Sequence, residues 1–223
     1  MDDKRDRTPT LPQVNETRRR LTMAGLAAPA VLGSLASRPV LGQSLHNCTP
    51  SGHISGFASP NPNGTICSLL GRSPTYYAGG PTTWPAGFAA ASTAFKDAPS
   101  GALLFFADAY VVLNSANNNF VRNATVWDVL KGGPVNPNNG NAQSNRYLTT
   151  KSGFSDDGSF TLGREAVAAC MSATTGYPNG FPISAEQVVR MFNNVITGGT
   201  DQVTNTASWN AAEVILYFQS LHS

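Results

Sequence analysis

Ala102-Leu-Leu-Phe-Phe-Ala-Asp-Ala-Tyr-Val-Val-Leu113 carries one charge, Asp108, in twelve otherwise apolar residues, and how it folds decides the fold class. Length favours a buried helix, whereas the β-branched end at Tyr110-Val111-Val112 favours a strand, and hydrophobic periodicity alone does not separate the two. Taken as a helix on its length, the run supplies a buried partner for amphipathic helices on either side of it. Asp108 stands among apolar neighbours, where a raised pKa makes a carboxyl a candidate acid. A place at a helix edge, or pairing with Arg122, is its plainer structural role.

Downstream, the spacing predicts a helix over Arg164–Ala173 with Ala166, Val167, Cys170 and Met171 on its inner face. Ser184-Ala185-Glu186-Gln187 is a capping box, with Ile183 placed to staple against Val188. That helix continues through Met191, Phe192, Val195 and Ile196 and stops at Gly198. Trp209 to Leu221 predicts a last helix with Val214, Ile215, Phe218 and Leu221 on one face. Thr125 caps a short helix that Gly132 ends. Between these elements, Gly133 to Asn145 reads as an Asn/Gly/Pro loop. Asp156-Asp157-Gly158 reads as a turn without the ligand alternation of an EF-hand. Upstream, Ala86 to Ala98 predicts a short helix.

The segment Arg72 to Phe88 is broken by Pro and Gly, so regular structure is not expected there, yet it holds Tyr76, Tyr77 and Trp84. These aromatics either staple the segment to a core or form a sugar-stacking binding surface. Cys48 and Cys67 bracket another turn-rich stretch, and an oxidising compartment makes them a candidate disulfide. Closing about twenty residues contributes roughly 3 kcal/mol in the chain-entropy model. A rival reading assembles His46, Cys48, His53 and Cys67 into a metal site, but their spacing matches no common zinc pattern. Cys170 reads as a small core residue. No metal and no cofactor is implied. The expected fold is mainly α: a small helical domain with a long, irregular, disulfide-clipped N-terminal region. Residues 43–100 form the clipped region and 101–223 the helical part.

Residues 1–42 read as a bacterial export signal of the twin-arginine type. A polar n-region leads to Arg18, Arg19, Arg20 and Leu21, then to an uncharged Ala-rich run too short to span a bilayer comfortably. Of the 15 basic and 13 acidic residues, seven and four lie in this leader, leaving 8 and 9 and a net charge of −1 for residues 43–223. The basicity of the whole chain therefore belongs to targeting. No basic stripe with interleaved aromatics remains, which disfavours nucleic acid as a partner, and no stretch after residue 42 is long enough to cross a membrane. The expected location is periplasmic or extracellular, with the export machinery as one partner and a cell-surface polymer or protein as another.

From Cys67 to Pro85 the chain resembles a group of bacterial exported proteins that share a box of the form Cys-x-Gly-Ser/Thr-Pro-Gly-Tyr-Trp-Lys-Asn-His-Pro-x-x-Trp-Pro. Ser73-Pro74, Tyr76, Pro81 and Trp84-Pro85 align with it. Arg164 to Ala169, Tyr177-Pro178 and the helix starting near Ser184 are similar as well. The group has no settled activity, so the resemblance implies an exported domain without implying a reaction. The box's Gly is Thr75 here, its Trp is Tyr77, and Ala78-Gly79-Gly80 replaces Lys-Asn-His. This copy keeps the structural residues and lacks the groups capable of acid–base or ligand chemistry.

Residues 43–223 contain three histidines, His46, His53 and His222, the last where fraying is expected. No nucleophile elbow, metalloprotease motif or nucleotide loop occurs. Asp156 with Glu165, and Asp108 with Asp128, are the carboxylate pairs that can be named. The expectation is an exported, non-catalytic structural or binding module. The alternatives are a metal- or cofactor-binding exported protein and a secreted hydrolase with a dispersed site.

Overall fold

Tyr110–Asn114 is a β-strand, β1, and not part of a helix. The computed structural model describes residues 48–52, 54, 70–88, 90–99, 104–176 and 180–222. The twin-arginine reading, with Arg18, Arg19, Arg20 and Leu21, lies outside these residues, as do His46, His53 and Cys67 and hence the proposed cross-link. Cys48 is fully buried.

The strand corrects the expectation of a mainly α domain: the described residues are 41% helix and 16% strand. β1 is central in an antiparallel sheet, between β2 (Phe120–Asn123) and β3 (Arg146–Thr150). Val112 lies opposite Arg122 on one side and Leu148 on the other. Tyr110, Val111 and Val112 are all buried, so both faces of the strand are covered and no polar alternation marks it in the sequence. Its backbone groups are satisfied by partners up to some forty residues away, which a local reading does not see. Only the β-branched end of the quoted run is strand; 104–109 precedes it as irregular chain. Asp108 pairs with Lys151, and Arg122 pairs with Asp128 instead, which corrects the pairing expected from sequence.

The helices predicted at Thr125, Arg164, Ser184 and Trp209 form with revised ends, and one that was not predicted precedes them. α1 is Pro74–Ala78, α2 Val126–Lys131, α3 Thr161–Gly176, α4 Ala185–Ile196 and α5 Ala211–Ser220. α3 is the hub, packing on α1, α2, α4 and α5. Ala166 through Met171 are completely buried, because their small side chains let helices approach from several directions. Cys170 is free there, and burial pushes its thiol pKa far above the ordinary range. Ser184 caps α4 as expected: its Oγ accepts from the Gln187 amide at 3.2 Å while Gln187 Oε1 accepts from the Ser184 amide at 2.9 Å. Asn210 and Glu213 form the same device on α5. Asp156 and Asp157 cap α3, with Asp156 accepting from the amides of Leu162 and Gly163.

Two expectations upstream are revised. Pro74–Ala78 is regular helix, capped by Ser73 with proline in its first turn, a combination that overrides the break expected there. Ala86–Ala98 is not one helix but two 3-10 turns, Ala86–Phe88 and Phe95–Asp97. Phe95 stacks on Phe106 at 4.7 Å and meets Tyr110 and Phe192 edge-on, which ties this segment to the sheet and to α4. Among the described residues no helix is long and apolar enough to cross a membrane.

Candidate functional site

Asp128 is completely buried and its carboxylate accepts from five donors. Two come from the Arg122 guanidinium, two from the amide and hydroxyl of Thr125, and one from the Val135 amide at 2.8 Å. A buried carboxylate is tolerated only when paired and hydrogen-bonded in this way. The pairing pins the chain after Gly132, whose left-handed φ of 67° turns it away from α2. A small antiparallel loop then closes: Gln143 donates to the Pro134 carbonyl at 3.0 Å and Asn136 donates to that of Asn141 at 2.9 Å. Asn136 and Asn139 each accept a backbone amide two residues on, so the Asn-rich tip is held by its own side chains.

The loop rests on Trp127. Gly140 has φ 68°, and a Cβ there falls 2.5 Å from the indole ring, so the contact admits only glycine. Trp127 Nε1 donates to the Ala78 carbonyl at 3.2 Å, and its ring meets Trp84 edge-on at 6.2 Å.

This frame encloses an open cleft of 470 Å³ between the end of α2 and the start of β3. Lys131, Asn141, Gln143, Ser144 and Arg146 line it together with Pro134 and Val135. Arg146 donates to Gln143 Oε1 at 3.0 Å. Among the described residues neither Lys131 nor Arg146 has a carboxylate within ion-pair distance. The cleft therefore offers two uncompensated cations together with amide and hydroxyl donors. Such a surface takes a ligand rich in hydrogen-bond acceptors.

The aromatic surface suggested by sequence does not form. Tyr77 and Trp84 are buried, Trp84 Nε1 donates to the Tyr77 carbonyl at 2.8 Å, and the Tyr77 hydroxyl reaches Ser172 Oγ at 3.2 Å. Burial raises the Tyr77 pKa, partly offset by that Ser172 bond. Tyr76 alone of the three stays open, 45% exposed, with the Arg72 guanidinium over its ring. The box is a staple, with the two Trp-to-carbonyl bonds as its pins.

Of the carboxylates named from sequence, Glu165 is joined by His222, Asp156 by the Tyr110 hydroxyl, Asp108 by Lys151 and Asp128 by Arg122. Each has found a structural partner. His222 is buried and not frayed: Gly71 donates to the Leu221 carbonyl at 2.8 Å and bridges with His222. Lys131, Asn141, Gln143, Ser144 and Arg146 were not singled out from sequence. Their one signal there is an Asn-rich loop flanked by two basic residues with no acid between them.

No family model matches the chain, and neither curated proteins nor solved structures give a match.

Proposed function

We propose that the chain is an exported, non-catalytic binding module that holds an acceptor-rich polymer of the cell surface. The observation that carries this reading is the cleft between Lys131 and Arg146, whose cations lack carboxylate partners among the described residues. Its ligand is anionic and hydroxyl-bearing, since carboxylates and hydroxyls use both the charges and the amide donors of Asn141 and Gln143. The leader over residues 1–42 and the resemblance to exported proteins around Ser73-Pro74 and Trp84-Pro85 support delivery outside the cytoplasm. In the resembling group the box is a structural element on this reading, consistent with the burial of Tyr77 and Trp84.

Binding of the exported protein to immobilised polygalacturonate, with dextran as neutral control, tests this directly. Retention on the acidic polymer that falls with salt is expected. The K131A/R146A pair should weaken it on the order of tenfold, about 1.4 kcal/mol. Equal retention of the double variant would remove the cleft from the proposal.

A further inference from the structure

The three-stranded sheet has two faces, and the core uses one of them. Tyr110, Val112 and Leu148 are buried on that side, and the strand charges keep to it as well: Arg122 is in register with Val112, and Arg146 with Asn114. On the other face, Leu113 of β1 lies opposite Phe120 on β2 and Tyr147 on β3. Residues paired across antiparallel strands project to the same side, so these three make one row across the sheet. None of them belongs to the core among the described residues. Phe120 is 62% exposed, while Leu113 and Tyr147 are half-buried. The next row on this face, Val111 with Asn123 and Thr149, is likewise uncharged. Lys151, two residues beyond Thr149, is paired with Asp108.

The Tyr147 hydroxyl donates to Asn118 Oδ1 at 3.1 Å, which holds its ring toward the tip of the β1–β2 hairpin. That tip is closed by its own backbone: Asn114 donates to the Asn119 carbonyl and Asn118 to the Asn114 carbonyl, both at 2.9 Å. The row is therefore bordered by Asn117, Asn118 and Asn119, exposed residues whose amides can both donate and accept. At the backbone, Phe120 and Tyr147 stand two strand spacings apart, about 10 Å, the span of two rings in an extended sugar chain.

An exposed apolar platform with a polar border marks a contact surface, and its chemistry selects the occupant. A second copy of this chain fits poorly. One open side chain and two half-buried ones offer far less than the ~800 Å² per partner of a stable protein interface. An anionic polymer finds no unpaired cation in either row. A neutral sugar ring has an apolar C–H face for the aromatics and hydroxyls at its edge for the amides. We infer that this face binds a neutral, extended β-1,4-linked glucan, with sugar rings on Phe120 and Tyr147 and hydroxyls at the asparagine tip. Equatorial linkage keeps the ring faces flat along such a chain, whereas an α-linked chain turns them away. None of these residues lines the Lys131–Arg146 cleft, so the inference does not rest on that site.

The test is depletion of the exported protein from solution by microcrystalline cellulose, with dextran beads as the α-linked control. Retention on cellulose that does not fall as salt is raised to about 1 M is expected, because no charge takes part. F120A should weaken retention at least tenfold and leave the melting temperature where it was, since the ring is largely exposed. Y147A should weaken it similarly. Y147F keeps the ring, loses the Asn118 bond and should stay within about threefold of the parent. Failure of the parent to bind cellulose, equal retention on dextran, or full retention by F120A would each overturn the proposal. So would a dimer in sedimentation equilibrium that F120A dissociates, which would give the face to a second copy. K131A/R146A should leave cellulose retention unchanged, and F120A should leave polygalacturonate retention unchanged. The failure of one proposal therefore does not mimic the failure of the other.

Discussion

His222 Nε2 lies 2.5 Å from Glu165 Oε2, joining the segment after α5 to the second turn of α3 across 57 residues of sequence. Gln219 Nε2 supplies a second donor to Glu165 at 3.3 Å, and Gly71 clasps the same segment from the other side. Replacing His222 by Ala leaves the half-buried Glu165 with its weaker donor alone. The expected loss is about 1 kcal/mol, since solvent reaches a half-buried carboxylate and offsets part of the penalty for the lost partner. Urea unfolding should show a lower midpoint at unchanged slope. An unchanged midpoint would mean that the imidazole contributes no net stability.

Asp128 should be far less replaceable than the cleft residues it supports. D128A strands the Arg122 guanidinium and the amides of Thr125 and Val135, and is expected to cost about 3 kcal/mol or more. K131A, at an exposed position, is expected to stay within about 0.5 kcal/mol of the parent. Thermal unfolding of the two variants side by side checks the contrast. Equal effects would refute the view of Asp128 as the cleft's anchor.

Gly140 is predicted to admit no side chain. In G140A a methyl group meets the Trp127 ring in a left-handed backbone that alanine disfavours. A loss of about 1–3 kcal/mol is expected. The tryptophan emission of the folded protein should also change, because the displaced ring is Trp127. A shift in stability without any spectral change would place the strain elsewhere.

Stability should fall at both ends of the pH scale, for reasons of opposite sign. Partial burial alone would raise the Asp157 pKa, but hydrogen bonds from Thr161 and Ser159 outweigh it and hold the carboxyl below its usual range. That contribution is complete above the unfolded value of about 3.9 and disappears as pH falls through the lower folded value. D157N should flatten the acid limb. Tyr110 is raised, first by burial and then by the Asp156 carboxylate beside its hydroxyl. Its contribution is complete below the unfolded value of about 10 and is lost as pH rises beyond it. Denaturation midpoints measured across both ranges decide the matter; a flat profile above pH ~10 would count against the buried phenol.

Export rests on sequence, and its prediction is correspondingly simple. Residues 1–42 fused to a folded reporter should carry it out of the cytoplasm through the twin-arginine route. R18K/R19K should leave it inside. Export of the lysine variant through the general pathway would reassign the leader.

The helices of this fold are written locally. Ser184 with Gln187 and Thr125 with Gly132 each specify an end within a few residues, and the apolar spacing between them specifies a face. β1 is not written locally, because Tyr110-Val111-Val112 becomes strand only when Arg146–Thr150 arrives beside it. The apolar residues ahead of it lent the run a helical length that the strand does not use. The cleft was legible only as composition. That Lys131 and Arg146 face one space depends on Asp128 holding Val135 and on Gly140 lying flat against Trp127, two contacts between side chains and distant backbone. His222 departs from its expected fraying for a related reason: position near a terminus suggests a loose end, while its partners, Glu165 and Gly71, are remote in sequence.

Cys170, sealed inside α3, bears on the order in which folding and oxidation take place. Its thiol gives up a proton only at very alkaline pH once the helix is packed, so the folded chain has no nucleophile there for thiol–disulfide exchange. In an unfolded chain the same sulfur competes on equal terms with Cys48 and Cys67. A chain that folds before it meets an oxidant removes Cys170 from that competition and leaves one pairing open. A chain oxidised first must choose among three.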